Sequence, residues 1–143
     1  MKRRGLLAVG CAALLLAGSC GRRQASIPER PAAVRTVVVS DSLLLCGGTD
    51  TVRLGRLHEG EQARVNLLLR NETARPMVIL QHELTCGCIA LEYDRRPVLL
   101  SESLSVQIDF DTRGLYGWQL KLFRLRPAGA REPLRIYVEA EVE

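Results

Sequence analysis

The sequence predicts an all-β fold, an immunoglobulin-like antiparallel β-sandwich of about seven strands, preceded by a cleavable leader and a tether. Three observations predict it. Apolar residues recur at every second position in several separate stretches, turn residues punctuate those stretches at short intervals, and no helical period follows Val34. A small barrel is the alternative arrangement of the same strands.

The chain opens with Met1-Lys2-Arg3-Arg4, continues with an apolar stretch from Leu6 to Leu16, and closes this zone with Ala17-Gly18-Ser19-Cys20. A positive start, an apolar middle and a small-residue end define a secretory signal peptide. The apolar stretch falls short of the roughly 20 residues a transmembrane helix needs. Leu16-Ala17-Gly18-Ser19-Cys20 resembles a bacterial lipobox, departing from it at Ala17, where Leu is preferred. That resemblance implies cleavage before Cys20 and lipidation of Cys20. Cleavage at Cys11 would leave too short an apolar zone, and Arg3-Arg4 matches a twin-arginine signal only faintly. Several acyl chains on one cysteine make attachment to a membrane effectively stable.

Residues 21–33 are polar, Arg-rich and interrupted by Pro28 and Pro31. Such a segment is an extended tether, reaching at most about 40 Å at roughly 3.3 Å per residue. The expected organisation is a leader over 1–19, a lipidated Cys20 and tether over 20–33, and the sandwich over 34–143. Arg22-Arg23 is unlike the acidic surface-export signals of some Gram-negative lipoproteins, so the expected location is the cell envelope, on the outer membrane facing the periplasm.

The strands follow in order. Val34 to Val39 and Thr51 to Leu54 are short β-branched and apolar runs. Ala63, Val65, Leu67 and Leu69 alternate with Arg64, Asn66 and Arg70, with Leu68 spoiling the polar face. Pro76 to Leu84 is a weaker candidate. Leu104, Val106, Ile108 and Phe110 alternate with Ser105, Gln107, Asp109 and Asp111. Trp118 to Leu125 is next, and Leu134, Ile136, Val138, Ala140 and Val142 alternate with Arg135, Tyr137, Glu139 and Glu141. Period two places one set of side chains on a core and the other in water. Turns are predicted at Cys46-Gly47-Gly48, His58 to Glu61, Asn71 to Pro76, Arg113-Gly114 and Pro127 to Gly129.

Composition narrows the function classes. At 143 residues, 47% hydrophobic and 25% charged, the chain is one folded domain of ordinary size. The net charge of +4 does not indicate a nucleic-acid partner, because three of the 20 basic residues, Lys2, Arg3 and Arg4, fall in the leader and leave 17 against 16 acidic. No basic stripe interleaved with aromatics is present.

Four separated segments occur in a familiar order: Thr51 to Glu61 with Leu54-Gly55 and Glu59-Gly60, Val65 to Asn71, Cys86-Gly87-Cys88, and Ile108 to Gly114 with Phe110-Asp111-Thr112. Over about residues 50–143 the chain resembles the DUF1573 family. The resemblance implies an immunoglobulin-like fold in secreted or lipid-anchored bacterial proteins, and no established activity. Two departures stand out. Ile89 occupies a position where the family often has Thr, and Leu100-Ser101-Glu102-Ser103 replaces a frequent Pro-Gly before the next strand.

Past Cys20 three thiols remain, Cys46, Cys86 and Cys88. In an oxidising compartment an odd number leaves one free or paired elsewhere. Residues two apart on an extended strand point to one side, so Cys86 and Cys88 can meet, with Gly87 permitting the unusual backbone of a small ring. Such a bond would be labile, a redox site. The rival is a staple from Cys46 to Cys86 or Cys88, and structural use ranks ahead. His82, four residues before Cys86, completes a conceivable His82, Cys46, Cys86, Cys88 set for zinc or copper(I), though its spacing matches no standard motif.

His82 could also serve as base to a cysteine nucleophile, but nothing identifies an oxyanion hole. Asp109 and Asp111 read as the wet face of a strand, and Trp118 and Tyr116 as core or sheet-edge aromatics. No catalytic constellation, cofactor motif or small-molecule site emerges. The sequence points first to a non-enzymatic binding or scaffolding module, bound to a membrane through its lipid and engaging an envelope protein by a sheet edge or loop. Thiol redox or metal handling at Cys86-Gly87-Cys88 is the alternative.

Overall fold

The computed structural model describes residues 35–143, so the leader, Cys20 and the tether lie outside the described residues. Eight strands and one short helix follow in the order β1 (Arg35–Val39), α1 (Asp41–Cys46), β2 (Gly48–Leu57), β3 (Gln62–Asn71), β4 (Ile79–Leu84), β5 (Ile89–Tyr93), β6 (Ser103–Asp111), β7 (Gly117–Pro127) and β8 (Leu134–Val142). They form two four-stranded sheets, β1-β3-β6-β5 and β2-β8-β7-β4, with no barrel closure.

Alternation creates the core. On β3, Ala63, Val65, Leu67 and Leu69 are buried and face Phe110, Ile108, Val106 and Leu104 across the antiparallel β6. On β8, Leu134, Ile136, Val138, Ala140 and Val142 are buried, joined by Phe123 and Leu125 of β7. Both sheets contribute to one cluster, and each large side chain removed from water stabilises the fold by roughly 1.5–3 kcal/mol.

The two sheets make the expected β-sandwich, and three details differ. The strands number eight, one more than the seven stretches named from the sequence, the addition being β5. The sandwich is not purely antiparallel, since β1 pairs parallel to β3 and β2 parallel to β8. Alternation reports which face a side chain takes, and says nothing about which neighbour a strand chooses or in which direction. The helix α1 was also unforeseen. Ser40 accepts a hydrogen bond from the Leu43 N–H at 3.3 Å, and the Gly47 N–H donates to the Leu43 carbonyl at 2.8 Å. Six residues capped in this way are too short to display a helical period, and they carry the chain from the first sheet to the second.

β2 is longer than its sequence suggested. Its register with β8 shifts between Arg53 and Gly55, and Gly55 has a φ of 73°. That bulge changes the phase, so Val52 and Leu57 are both buried although they lie an odd number of positions apart. The Leu54-Gly55 pair is therefore a kink within a strand.

One end of the sandwich is organised by Asn71, which is fully buried. Its Nδ2 donates to the carbonyls of Arg75 and Val98 at 2.9 and 2.8 Å, and its Oδ1 accepts from the N–H and hydroxyl of Thr73 at 2.9 and 2.8 Å. The backbone of Asn71 also receives Ser101 and donates to Glu102. One side chain thus ties two loops to the end of β3, and among the described residues no buried side-chain nitrogen or oxygen lacks a partner.

Candidate functional site

The opposite end gathers three turns: the β2–β3 turn at 58–61, the β4–β5 turn at 85–88 and the β6–β7 turn at 112–116. Thr112 is fully buried, and its hydroxyl lies 2.8 Å from both the His58 and the Glu61 carbonyl oxygens. The Thr112 N–H donates to Glu61 and the Gly114 N–H donates to Glu59 Oε1. The Phe110-Asp111-Thr112 and Glu59-Gly60 segments are accordingly two halves of one joint, with Phe110 in the core.

The β4–β5 turn crosses from the edge of one sheet to the edge of the other. Its flanks are fixed by several contacts. Thr85 donates to the Leu122 carbonyl through both its N–H and its hydroxyl, at 3.3 and 2.6 Å. The Asp111 N–H donates to the Cys88 carbonyl at 2.9 Å. His82 Nδ1 and the Tyr93 hydroxyl are 2.9 Å apart, joining β4 to β5 with the rings edge to face.

Within this turn Cys86 and Cys88 form a disulfide, with Cα atoms 5.3 Å apart. Both cysteines are half-buried and pack against the core. The sequence reading placed them on an extended strand. The structure places them in a bend and turn, which brings the Cα atoms into the ordinary range for a disulfide. Gly87 has no left-handed φ, and a Cβ there would meet nothing within 4 Å. Its small size keeps space open and is not demanded by the backbone.

Cys46 ends α1 as an exposed free thiol. The register places α1 beyond the Asn71 end of β3 and Cys88 beside Asp111, at the other end. The expected staple from Cys46 to Cys86 or Cys88 is thus replaced by the Cys86–Cys88 bond, and the cysteines do not converge as a trio. The set of His82, Cys46, Cys86 and Cys88 is not assembled either, and no group of three or more His, Cys, Asp or Glu side chains could hold a metal among the described residues. Cys20 lies outside them.

Beside the disulfide is a pocket of about 270 Å³, lined in part by Gln62, Arg64, Gly87, Cys88, Ala90 and Asp109. Arg64 faces Asp109 across β3 and β6 and donates to both its carboxylate oxygens, at 2.6 and 3.2 Å. Ala90 and Gly87 contribute no bulk, which leaves the depression. A second, more open depression of about 390 Å³ is bounded by Gly87, Cys88, Asp111 and Arg113. There the Arg113 guanidinium, hydrogen-bonded to Asp111, holds that carboxyl below the usual aspartate range, with the Arg113 N–H adding to the effect. Cys88 borders both openings.

A further feature escaped the sequence reading. β4 pairs with only Phe123 to Pro127 of β7, so the first half of β7 has β8 as its sole strand neighbour among the described residues. Trp118 and Leu120 are 61% and 43% exposed there, and Tyr116, in the turn just before β7, is 70% exposed. Trp118 therefore belongs to a sheet edge, Tyr116 to the turn beside it, and neither to the core. The alternation of Trp118 and Leu120 was visible in the sequence, but an apolar alternating face reads as buried until its neighbours are known.

A family model described as "Protein of unknown function (DUF1573)" matches residues 47–142. No curated protein matches. Among solved structures, the chain is similar to a protein of unknown function from Porphyromonas gingivalis W83, with 20% identity, TM-score 0.56, and coverage of 64% of this chain and 43% of that one. It is also similar to the Vibrio cholerae VesB protease, with 15% identity, TM-score 0.54, and coverage of 64% and 30%. The chain thus spans less than half the length of either, and these likenesses concern the fold alone. The match over most of the chain shows that it belongs to the DUF1573 family.

Proposed function

We propose that this DUF1573 protein is a non-enzymatic binding module of the bacterial envelope, lipidated at Cys20, tethered to the outer membrane facing the periplasm, and engaging an envelope protein by strand addition. The observation that carries the reading is the open edge of β7 over residues 117–121. Backbone groups of successive residues in an antiparallel strand point to alternate sides. Since the Leu122 carbonyl serves β4's flank through Thr85, the N–H and C=O of Leu120 and Trp118 face the same side, which no strand among the described residues covers. An extended segment laid there gains main-chain hydrogen bonds, while Trp118 and Leu120 supply apolar contact. Exposed edges of this kind are ordinarily blunted.

The test places a photo-crosslinking phenylalanine analogue at Leu120 or, as control, at Ser105 on β6, in the full lipidated chain in its own envelope. The expected result is one reproducible adduct from position 120, abolished by Trp118→Glu, and none from position 105. Indiscriminate adducts from both positions, or none from position 120, would overturn the reading.

A further inference from the structure

The Cys86–Cys88 bond stands apart from every other tie at its end of the molecule. A disulfide stabilises mainly by restricting the unfolded chain, and the restriction shrinks with the loop it closes. This one spans a sequence separation of two. The turn that contains it is already held without it, by the paired Thr85 and Leu122, by Asp111 on the Cys88 carbonyl, and by His82 against Tyr93. Long-range anchoring is therefore supplied by hydrogen bonds, and the sulfurs add no distant connection. Access points the same way. Cys88 borders two openings, Gly87 beside it borders both, and among the described residues no atom lies within 4 Å of a Cβ placed on Gly87.

We propose that Cys86–Cys88 is a thiol–disulfide exchange site whose co-reactant is a protein dithiol, attacked at the Cys88 sulfur. A thiolate of the partner forms a bond to Cys88 Sγ as the S–S bond breaks, and Cys86 leaves as a thiolate that takes up a proton. The partner's second thiolate then attacks its own sulfur in the mixed disulfide, releasing Cys88, which is protonated in turn. Two electrons and two protons pass from the partner dithiol to this pair, and the partner is left with a disulfide. The reverse sequence reoxidises Cys86 and Cys88 at the expense of a partner disulfide. Cys46, exposed at the far end, takes no part. The site uses residues distinct from the β7 edge, so it stands or falls separately from strand addition.

The experiment uses the full chain in detergent with Cys46→Ser, and reads the peptide carrying Cys86 and Cys88 separately from Cys11 and Cys20. Folded protein is equilibrated with mixtures of reduced and oxidised glutathione, and then acid-quenched, alkylated and mass-mapped. The expected result is a two-electron titration with both forms populated across the mixtures, and a bond that stays fully oxidised in excess reduced glutathione overturns the proposal. Single variants locate the attack. With Cys86→Ser, Cys88 should form its mixed disulfide with oxidised glutathione about tenfold faster than Cys86 does in the Cys88→Ser protein, because exchange rates follow access. Equal rates overturn the assignment to Cys88. Gly87→Leu, whose Cβ has room at this position, should slow reduction by a Cys-x-x-Cys peptide while leaving dithiothreitol unaffected. Equal slowing of both reductants, or of neither, counts against a partner approaching over Gly87.

Discussion

The two ends of the sandwich are built on different terms. At one, Asn71 is buried with all its side-chain hydrogen-bonding capacity spent on loops around it. At the other, Thr112 performs a similar service for the 58–61 turn, and next to it lies a disulfide that joins residues two apart. Removing a buried staple exposes or strands its partners, whereas removing the disulfide frees almost nothing distant. The contrast separates motif residues that hold the fold from the motif whose chemistry is left over.

The strongest way to break that contrast is Asn71→Ala. It strips the amide from the Arg75 and Val98 carbonyls, which keep the Thr73 hydroxyl and the Met77 N–H respectively, and leaves the Thr73 N–H without its acceptor in a buried place, which should cost about 2–3 kcal/mol. Equilibrium urea unfolding measures it as a lower midpoint at unchanged slope. A loss below about 1 kcal/mol would mean that water or a rearranged loop replaces the amide.

At the other end Thr112→Val keeps the shape and deletes the hydroxyl shared by His58 and Glu61. The expected loss is about 1–2 kcal/mol, because two carbonyls lose a donor but lie near solvent. The Cys86–Cys88 bond should remain intact in that variant by mass mapping, since the Thr112 hydroxyl bonds to the 58–61 turn and not to either cysteine.

Replacing both Cys86 and Cys88 by Ala is the sharper comparison. The loss should stay below about 1.5 kcal/mol, against the roughly 3 kcal/mol expected of a 15-residue loop. A loss matching that of Asn71→Ala would make the disulfide a structural element and erase the difference between the two ends.

The sequence disclosed these regions unequally. β3, β6 and β8 were legible because long strands with one wet face repeat the period four or five times. β5 carries the same period in Ile89, Leu91 and Tyr93, but over five residues at a sheet edge, where Leu91 and Tyr93 are only half-buried. The Cys86-Gly87-Cys88 pairing was one of the bonds open to three thiols, and spacing alone could not choose, because the position of Cys46 depends on a helix and a sheet crossing that alternation does not encode. The pocket beside Cys88 was illegible for a related reason. Arg64, Ala90 and Asp109 lie on three strands, and only the register aligns them.

The smallest expected effect concerns the Asn71 end and a place where the sequence departs from its family. Ser101 has a φ of 65°, the left-handed region, in a turn closed by the Glu102 N–H on the Leu99 carbonyl at 3.1 Å. A residue there with a Cβ is strained, which is why glycine is favoured at the third position of such a turn. The family often has Pro-Gly just before this strand, whereas here Leu100 and Ser101 precede Glu102. Ser101 is held in place nonetheless, because its N–H donates to the Asn71 carbonyl at 2.7 Å and the Leu99 N–H donates to Glu102 Oε2 at 3.0 Å. Ser101→Gly should therefore relieve strain at an exposed position without losing a contact. The greater freedom of glycine in the unfolded chain offsets part of the gain, leaving a net stabilisation of about 0.5 kcal/mol. The same substitution in the Asn71→Ala background should stabilise somewhat less, since loss of the Asn71 amide from the Val98 carbonyl loosens the chain leading into the turn. Equal gains in both backgrounds would show that the turn is held by the Asn71 carbonyl and its own residues and owes nothing to the Asn71 side chain.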